Sequence, residues 1–157
     1  MNDANTNQAI LFADIIDSMR LYESLGDEQA HTIACGCIGA IQQITLDHGG
    51  RVVKTMGDGI MCVFPSADKA FVASALMHDN PGCARVTVRV GFHVGPAIED
   101  EGDVFGDAVN LAARVAAMAK GGETLLTGES IRLLSSMYVA NTRLLDTTTL
   151  KGKSETV

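Results

Sequence analysis

The sequence predicts an α/β sandwich with a βαββαβ core, and three observations carry that expectation. Short apolar runs alternate with longer segments whose apolar residues recur every three or four positions. Two β-rich runs, 51–56 and 60–64, are separated only by Gly57-Asp58-Gly59, a compact hairpin signature. Helical patterns stand on either side of that hairpin, with a further strand after the second of them.

Taken in order, residues 8–13 (QAILFA) form an apolar run ending at Asp14 and read as a buried strand. From Asp27 the spacing turns helical. Ala30, Ile33, Ala34, Cys37, Ile38, Ile41 and Ile44 make one apolar stripe, with Asp27 as N-cap and Gly49-Gly50 as the stop. The hairpin follows, then a helix capped by Ser66 and running to about residue 77, broken by Asp79-Asn80-Pro81-Gly82. Residues 85–94 alternate as a long strand that Gly95-Pro96 is expected to end. After a short acidic connection, 99–103, a helix is expected over 106–118 and a strand over 124–126. A short helix over 129–136 and a last strand over 143–145 complete the reading. This is a ferredoxin-like order with additional C-terminal elements.

A chain of 157 residues fits a single domain, 1–157. At 46% hydrophobic residues it has the composition of a globular protein, and no apolar run approaches the ~20 residues that cross a bilayer. The polar N-terminus lacks a signal-peptide layout, so a cytoplasmic location is expected. A formal net charge of −7 argues against nucleic acid or an anionic membrane surface as the main partner. It leaves room for a nucleotide, which needs only a few local cations. Cys35, Cys37, Cys62 and Cys83 form no Cys-x-x-Cys pair and no zinc spacing, and are expected as free thiols. The last residues, 150–157, read as the start of a further strand, so the chain is expected to have been excised from a longer protein.

Chemistry-bearing residues fall in three places. Asp14 follows the first strand and Asp58 sits at the hairpin tip. Antiparallel pairing could bring both carboxylates to one edge, a site for Mg²⁺ or Mn²⁺. Asp is also common in turns, and spacing alone favours that plainer reading of Gly57-Asp58-Gly59. Asn110 and Arg114 are four apart, on one polar face of an otherwise apolar helix. An amide and a guanidinium there suit a ribose hydroxyl and a phosphate; an ordinary solvated stripe is the alternative. Lys54 stands in an apolar strand, where it is either an edge residue or a group reaching a ligand.

The segments Phe12-Ala13-Asp14-Ile15, Lys54-Thr55-Met56-Gly57-Asp58-Gly59 and Asp103-Val104-Phe105-Gly106-Asp107-Ala108-Val109-Asn110-Leu111-Ala112-Ala113-Arg114 together resemble the signature regions of class III adenylate and guanylate cyclases, in the family's order. The resemblance runs from about residue 10 to 153 and implies the class III cyclase fold. It implies that Asp14, Asp58 and the backbone carbonyl of Ile15 bind two metal ions, Mg²⁺ or Mn²⁺, in each active site. Asn110 would orient the ribose, and Arg114 would stabilise charge on the α-phosphate. Lys54 and Asp103 match the pair that reads adenine, where the guanylate cyclases of the family typically carry Glu and Cys. The implied reaction is ATP to 3′,5′-cyclic AMP and pyrophosphate.

The resemblance also implies a head-to-tail homodimer with composite sites, and a tethered regulatory domain absent from this chain. The connection before Asp103 is shorter than in many relatives, which shortens the dimerisation arm. Two alternatives stand beside this reading: a cyclase for another nucleotide such as GTP, and a catalytically silent cyclase-like module. His93 reads as structural; His31, His48 and His78 show no ligand spacing.

Overall fold

The computed structural model describes residues 6–145, so the strand expected after residue 150 lies outside the described residues. The chain runs β1 (Thr6–Ile16), α1 (Ser18–Leu25), α2 (Asp27–Asp47), β2 (Arg51–Met56), β3 (Gly59–Phe64) and α3 (Ala67–Asp79). A 3₁₀ turn (Pro81–Cys83) leads to β4 (Thr87–Asp100), β5 (Asp103–Phe105), α4 (Asp107–Met118) and β6 (Thr124–Leu126). Two single-turn helices, α5 (Gly128–Ile131) and α6 (Ser136–Val139), follow. The sheet order is β2-β3-β1-β4-β5, with β6 pairing in parallel with β4.

Strand alternation divides the molecule into two layers. Ala9, Leu11, Ala13 and Ile15 of β1, with Ile60, Cys62 and Phe64 of β3, enter the core beneath α2 and α3. The intervening residues, Ile10, Met61 and Val63, pack on the other face against Ala97, Val104, Ala108 and Ala112. Asp14 has the parity of Ile10 and therefore belongs to this second face. Gly91 is what lets α4 seat there, since a Cβ would run into the backbone of Ala116.

α2 spans the expected stripe, although Gly26 rather than Asp27 occupies the N-cap. Ser66 caps α3 as expected, accepting from the Lys69 N–H at 3.3 Å. The structure also departs from the sequence reading elsewhere: α1 and β5 were not expected as elements. Gly95-Pro96 does not end β4, which continues to Asp100. Pro96 lies where β4 has no outer neighbour, beyond β6 at Phe92 and before β5 at Ile98, so a missing N–H is tolerated as it is on an edge. Residues 143–145 are not a strand; Leu144 and Leu145 are 83% and 53% exposed, with no partner strand among the described residues. The helix expected over 129–136 is two separate turns, α5 and α6.

A further departure concerns the cysteines. Cys37 and Cys83 form a disulfide, with Cα atoms 4.5 Å apart, while Cys35 and Cys62 are free. α2 and the 3₁₀ turn bury these two side chains against each other across 46 residues, a meeting that local spacing cannot show. No helix among the described residues is long and apolar enough to cross a membrane.

Candidate active site

β1 and β3 pair antiparallel so that Asp14 lies opposite Gly59, the residue after Asp58. The Ile15 N–H donates to the Asp58 carbonyl at 2.9 Å, which ties the hairpin tip to the end of β1. Both carboxylates are half-buried. A Cβ at Gly59 would collide with Asp14 Oδ1, so the glycine leaves the space in which the Asp14 carboxylate lies. The donors gathered here are hard oxygens. Among the described residues no cluster of three His, Cys, Asp or Glu forms a closed metal cage. Two carboxylates with open positions suit Mg²⁺, which keeps waters and takes phosphate oxygens from a substrate. Gly59→Ala should therefore fold yet lose at least tenfold in Mn²⁺ affinity, measured by the paramagnetic resonance signal of free Mn²⁺.

Arg89 is a residue the sequence reading passed over. It lies directly opposite Asp14 in the β1–β4 ladder, its Nε 3.4 Å from Asp14 Oδ2. Nη1 donates to the Ala117 carbonyl at 3.2 Å, and Nε is buried without a hydrogen-bond partner. The available signal was a cation between Val88 and Val90, on the face away from the core in an alternating strand.

The second cluster pairs Lys54 Nζ with Asp103 Oδ2 at 3.0 Å, in a half-exposed position. They come from opposite ends of the sheet order, β2 and β5. The β4–β5 hairpin turns at Glu101 and Gly102, both with positive φ (49° and 81°), and folds back over the second face. The Lys54 hydrogen bond, with help from the Val104 N–H at 2.8 Å, holds the Asp103 carboxyl below its usual range. A depressed folded-state pKa means the contact is fully present above the ordinary value of 3.8 and is lost as pH falls through the lower folded value. Replacing Lys54 with Met should return the Asp103 titration, followed by carboxyl NMR, towards 3.8.

Asn110 and Arg114 lie one turn apart on α4, exposed and half-buried respectively. Among the described residues neither is joined to Asp14 or Asp58 by a hydrogen bond or ion pair. One chain thus carries three groups: paired carboxylates at the hairpin tip, a cation–carboxylate pair beneath the β4–β5 hairpin, and an amide–guanidinium face on α4. His93 is buried, sharing a 2.7 Å hydrogen bond between Nδ1 and Thr127 Oγ1.

Hard-oxygen donors, a cation–carboxylate pair and an amide–guanidinium face thus stand together on one α/β domain. The chain belongs to the family described as Adenylate and Guanylate cyclase catalytic domain, whose sequence profile matches residues 70–157. That span holds Asp103, Asn110 and Arg114, whereas Asp14, Lys54 and Asp58 precede it. An uncharacterised protein of Mycobacterium tuberculosis is 33% identical over 80% of this chain and 34% of its own length. A putative adenylate cyclase 3 of Rhizobium meliloti is 33% identical over 73% of this chain and 21% of its own length. The chain therefore spans only 34% and 21% of the length of these relatives. Among solved structures, the catalytic core of a rhodopsin-guanylyl cyclase with converted specificity, in complex with ATPαS, superposes with a TM-score of 0.85. It is 20% identical, covers 97% of this chain and 92% of its own, and shows the shared fold.

Proposed function

We propose that the chain is an adenylate cyclase domain that converts ATP to 3′,5′-cyclic AMP and pyrophosphate at sites shared between two copies. The observation that supports this most directly is the 3.0 Å pairing of Lys54 with Asp103. A lysine donor beside a carboxylate acceptor complements adenine, which offers an acceptor at N1 and a donor at its 6-amino group. Guanine presents O6 and a protonated N1, so the same pair would leave buried polar groups mismatched.

Asp14, Asp58 and the Ile15 carbonyl would hold two divalent cations, Mg²⁺ or Mn²⁺. Bound there, these ions supply charge neutralisation on the phosphates and a more acidic ribose 3′-hydroxyl. Asn110 orients the ribose so that the 3′-oxygen lies in line with the α-phosphorus and the pyrophosphate leaving group. Arg114, in no ion pair among the described residues, meets the negative charge that develops on the α-phosphate. With Asn110 and Arg114 unconnected to Asp14 and Asp58 within one chain, a head-to-tail homodimer supplies each site with one group from each copy. The greater length of the relatives accords with a regulatory domain tethered to such a catalytic unit.

The test is a substrate panel. ATP, GTP, CTP and UTP are incubated with Mg²⁺ or Mn²⁺ at protein concentrations that favour dimers, and products are separated by chromatography. Cyclic AMP from ATP alone is the expected result. Cyclic GMP would keep the mechanism and overturn the adenine assignment. No product from a dimeric sample would leave a silent nucleotide-binding module.

A further inference from the structure

We infer that Arg51 is a positioning residue for base selection, acting through Glu99 to set the height of the β4–β5 hairpin at which Asp103 meets Lys54. This rests on the reading of Lys54 and Asp103 as the base-reading pair.

The first observation is one of register. Arg51 pairs with Val63 and Val52 with Cys62, but Lys54, not Val53, pairs with Met61. The strand thus carries one residue more than its partner, a β-bulge at Val53. Three residues apart in a regular strand, Arg51 and Lys54 would point to opposite faces. The bulge puts both opposite residues of the second face, Val63 and Met61, so both look up at the hairpin.

What Arg51 does there is specific. Nη2 donates to Glu99 Oε1 at 2.7 Å, and Nη1 donates to the Gly102 carbonyl at 3.3 Å. One guanidinium therefore grips both limbs of the turn, on the β4 side and on the residue immediately before Asp103. Gln8 of β1 donates to the same Glu99 oxygen at 3.1 Å, so the grip is shared by two strands beneath. Hydrogen bonds from Gln8 and Arg51 hold the Glu99 carboxyl below its usual range, and it stays charged. Apolar anchorage of the hairpin is thin: Val104 is buried, whereas Ile98 and Phe105 are each 50% exposed.

An exposed ion pair contributes little to overall stability. Its leverage here is geometric. Hydrogen-bond strength falls steeply once donor and acceptor leave their narrow distance and angle range, so a small rise of the hairpin weakens the Asp103 contact that tells one base from the other. Removing Arg51 should thus leave the fold intact and blunt the choice between bases.

The test compares wild-type, Arg51→Met and the charge-exchanged Arg51→Glu/Glu99→Arg proteins. Affinities for 3′-deoxy-ATP and 3′-deoxy-GTP, which cannot cyclise, are measured by calorimetry with Mn²⁺. The expected result is a three- to tenfold fall in the adenine-to-guanine affinity ratio in Arg51→Met, about what one or two lost polar contacts produce. The midpoint of thermal unfolding should not move, and the charge exchange should restore at least half of the lost ratio. Asp103, titrated by NMR without nucleotide, should shift towards its ordinary pKa in Arg51→Met. An unchanged ratio in Arg51→Met overturns the inference, as does an equal loss for both bases, which is simple charge attraction. Wild-type protein that does not distinguish the two nucleotides instead overturns the base-reading assignment of Lys54 and Asp103, and this inference with it.

Discussion

Asp58→Ala and Arg114→Ala proteins are each expected to lose cyclase activity by a factor on the order of 10³, and to recover about a quarter of it when mixed in equal amounts. The first loss follows from removing one of two carboxylates at the hairpin tip, the second from removing the charge that opposes the developing phosphate charge. The recovery follows from the separation of the two groups. Statistical mixing makes about half of all dimers mixed, and each mixed dimer carries one site with both residues intact and one with neither. The measurement is cyclic AMP formed by each variant alone and by the mixture, at matched dimer concentration. A mixture no more active than its components would sink the composite-site reading while leaving each residue's own role in place.

Reduction of the Cys37–Cys83 disulfide is expected to lower stability by about 4 kcal/mol, the chain-entropy value for a closed loop of this length. For a domain of this size that corresponds to a fall of roughly 10 °C in the unfolding midpoint. The 46-residue span between the two cysteines contains β2, β3 and α3, and with them Lys54 and Asp58. Calorimetry of oxidised protein with and without reductant checks the magnitude, and thiol labelling checks the pairing. Native oxidised protein should label at exposed Cys35. Cys62 should resist, being buried and pushed up to about 11 by that burial, so its thiolate is scarce at neutral pH. Cys37 and Cys83 should label only after reduction. Equal labelling of all four cysteines in native protein would remove the disulfide from the account.

The parts of this structure that could be read from sequence are those whose cause is local. The stripe from Ala30 to Ile44 has one helical period, and Gly49-Gly50 ends it; the Gly57-Asp58-Gly59 turn likewise announces its hairpin. Asp14, Lys54 and Asp58 stood out because a charge in an apolar strand or at its end breaks a pattern. α1 was missed because its apolar stripe, Leu21, Tyr22 and Leu25, is only about two turns long and buries no residue fully. The disulfide, the bulge and the contact of Arg89 with Asp14 are properties of pairing between distant strands or helices. β4 was cut short for a related reason: whether proline breaks a strand depends on which neighbour needs its N–H, and that is a fact of topology.

The single supernumerary residue in β2 has a consequence for how this surface can change. Substitutions at Arg51 or Val53 grade an interaction up or down. Loss of one residue acts on the twist of the strand instead. Deleting Val53 would restore regular pairing with β3, leaving Arg51 opposite Val63 and Lys54 opposite Met61, both still under the hairpin, while removing the extra twist that the bulge gives the strand. Drift by substitution and drift by length are therefore different kinds of event at this edge of the domain: the first changes which groups lie under the hairpin, the second straightens the strand and leaves the same two cations there.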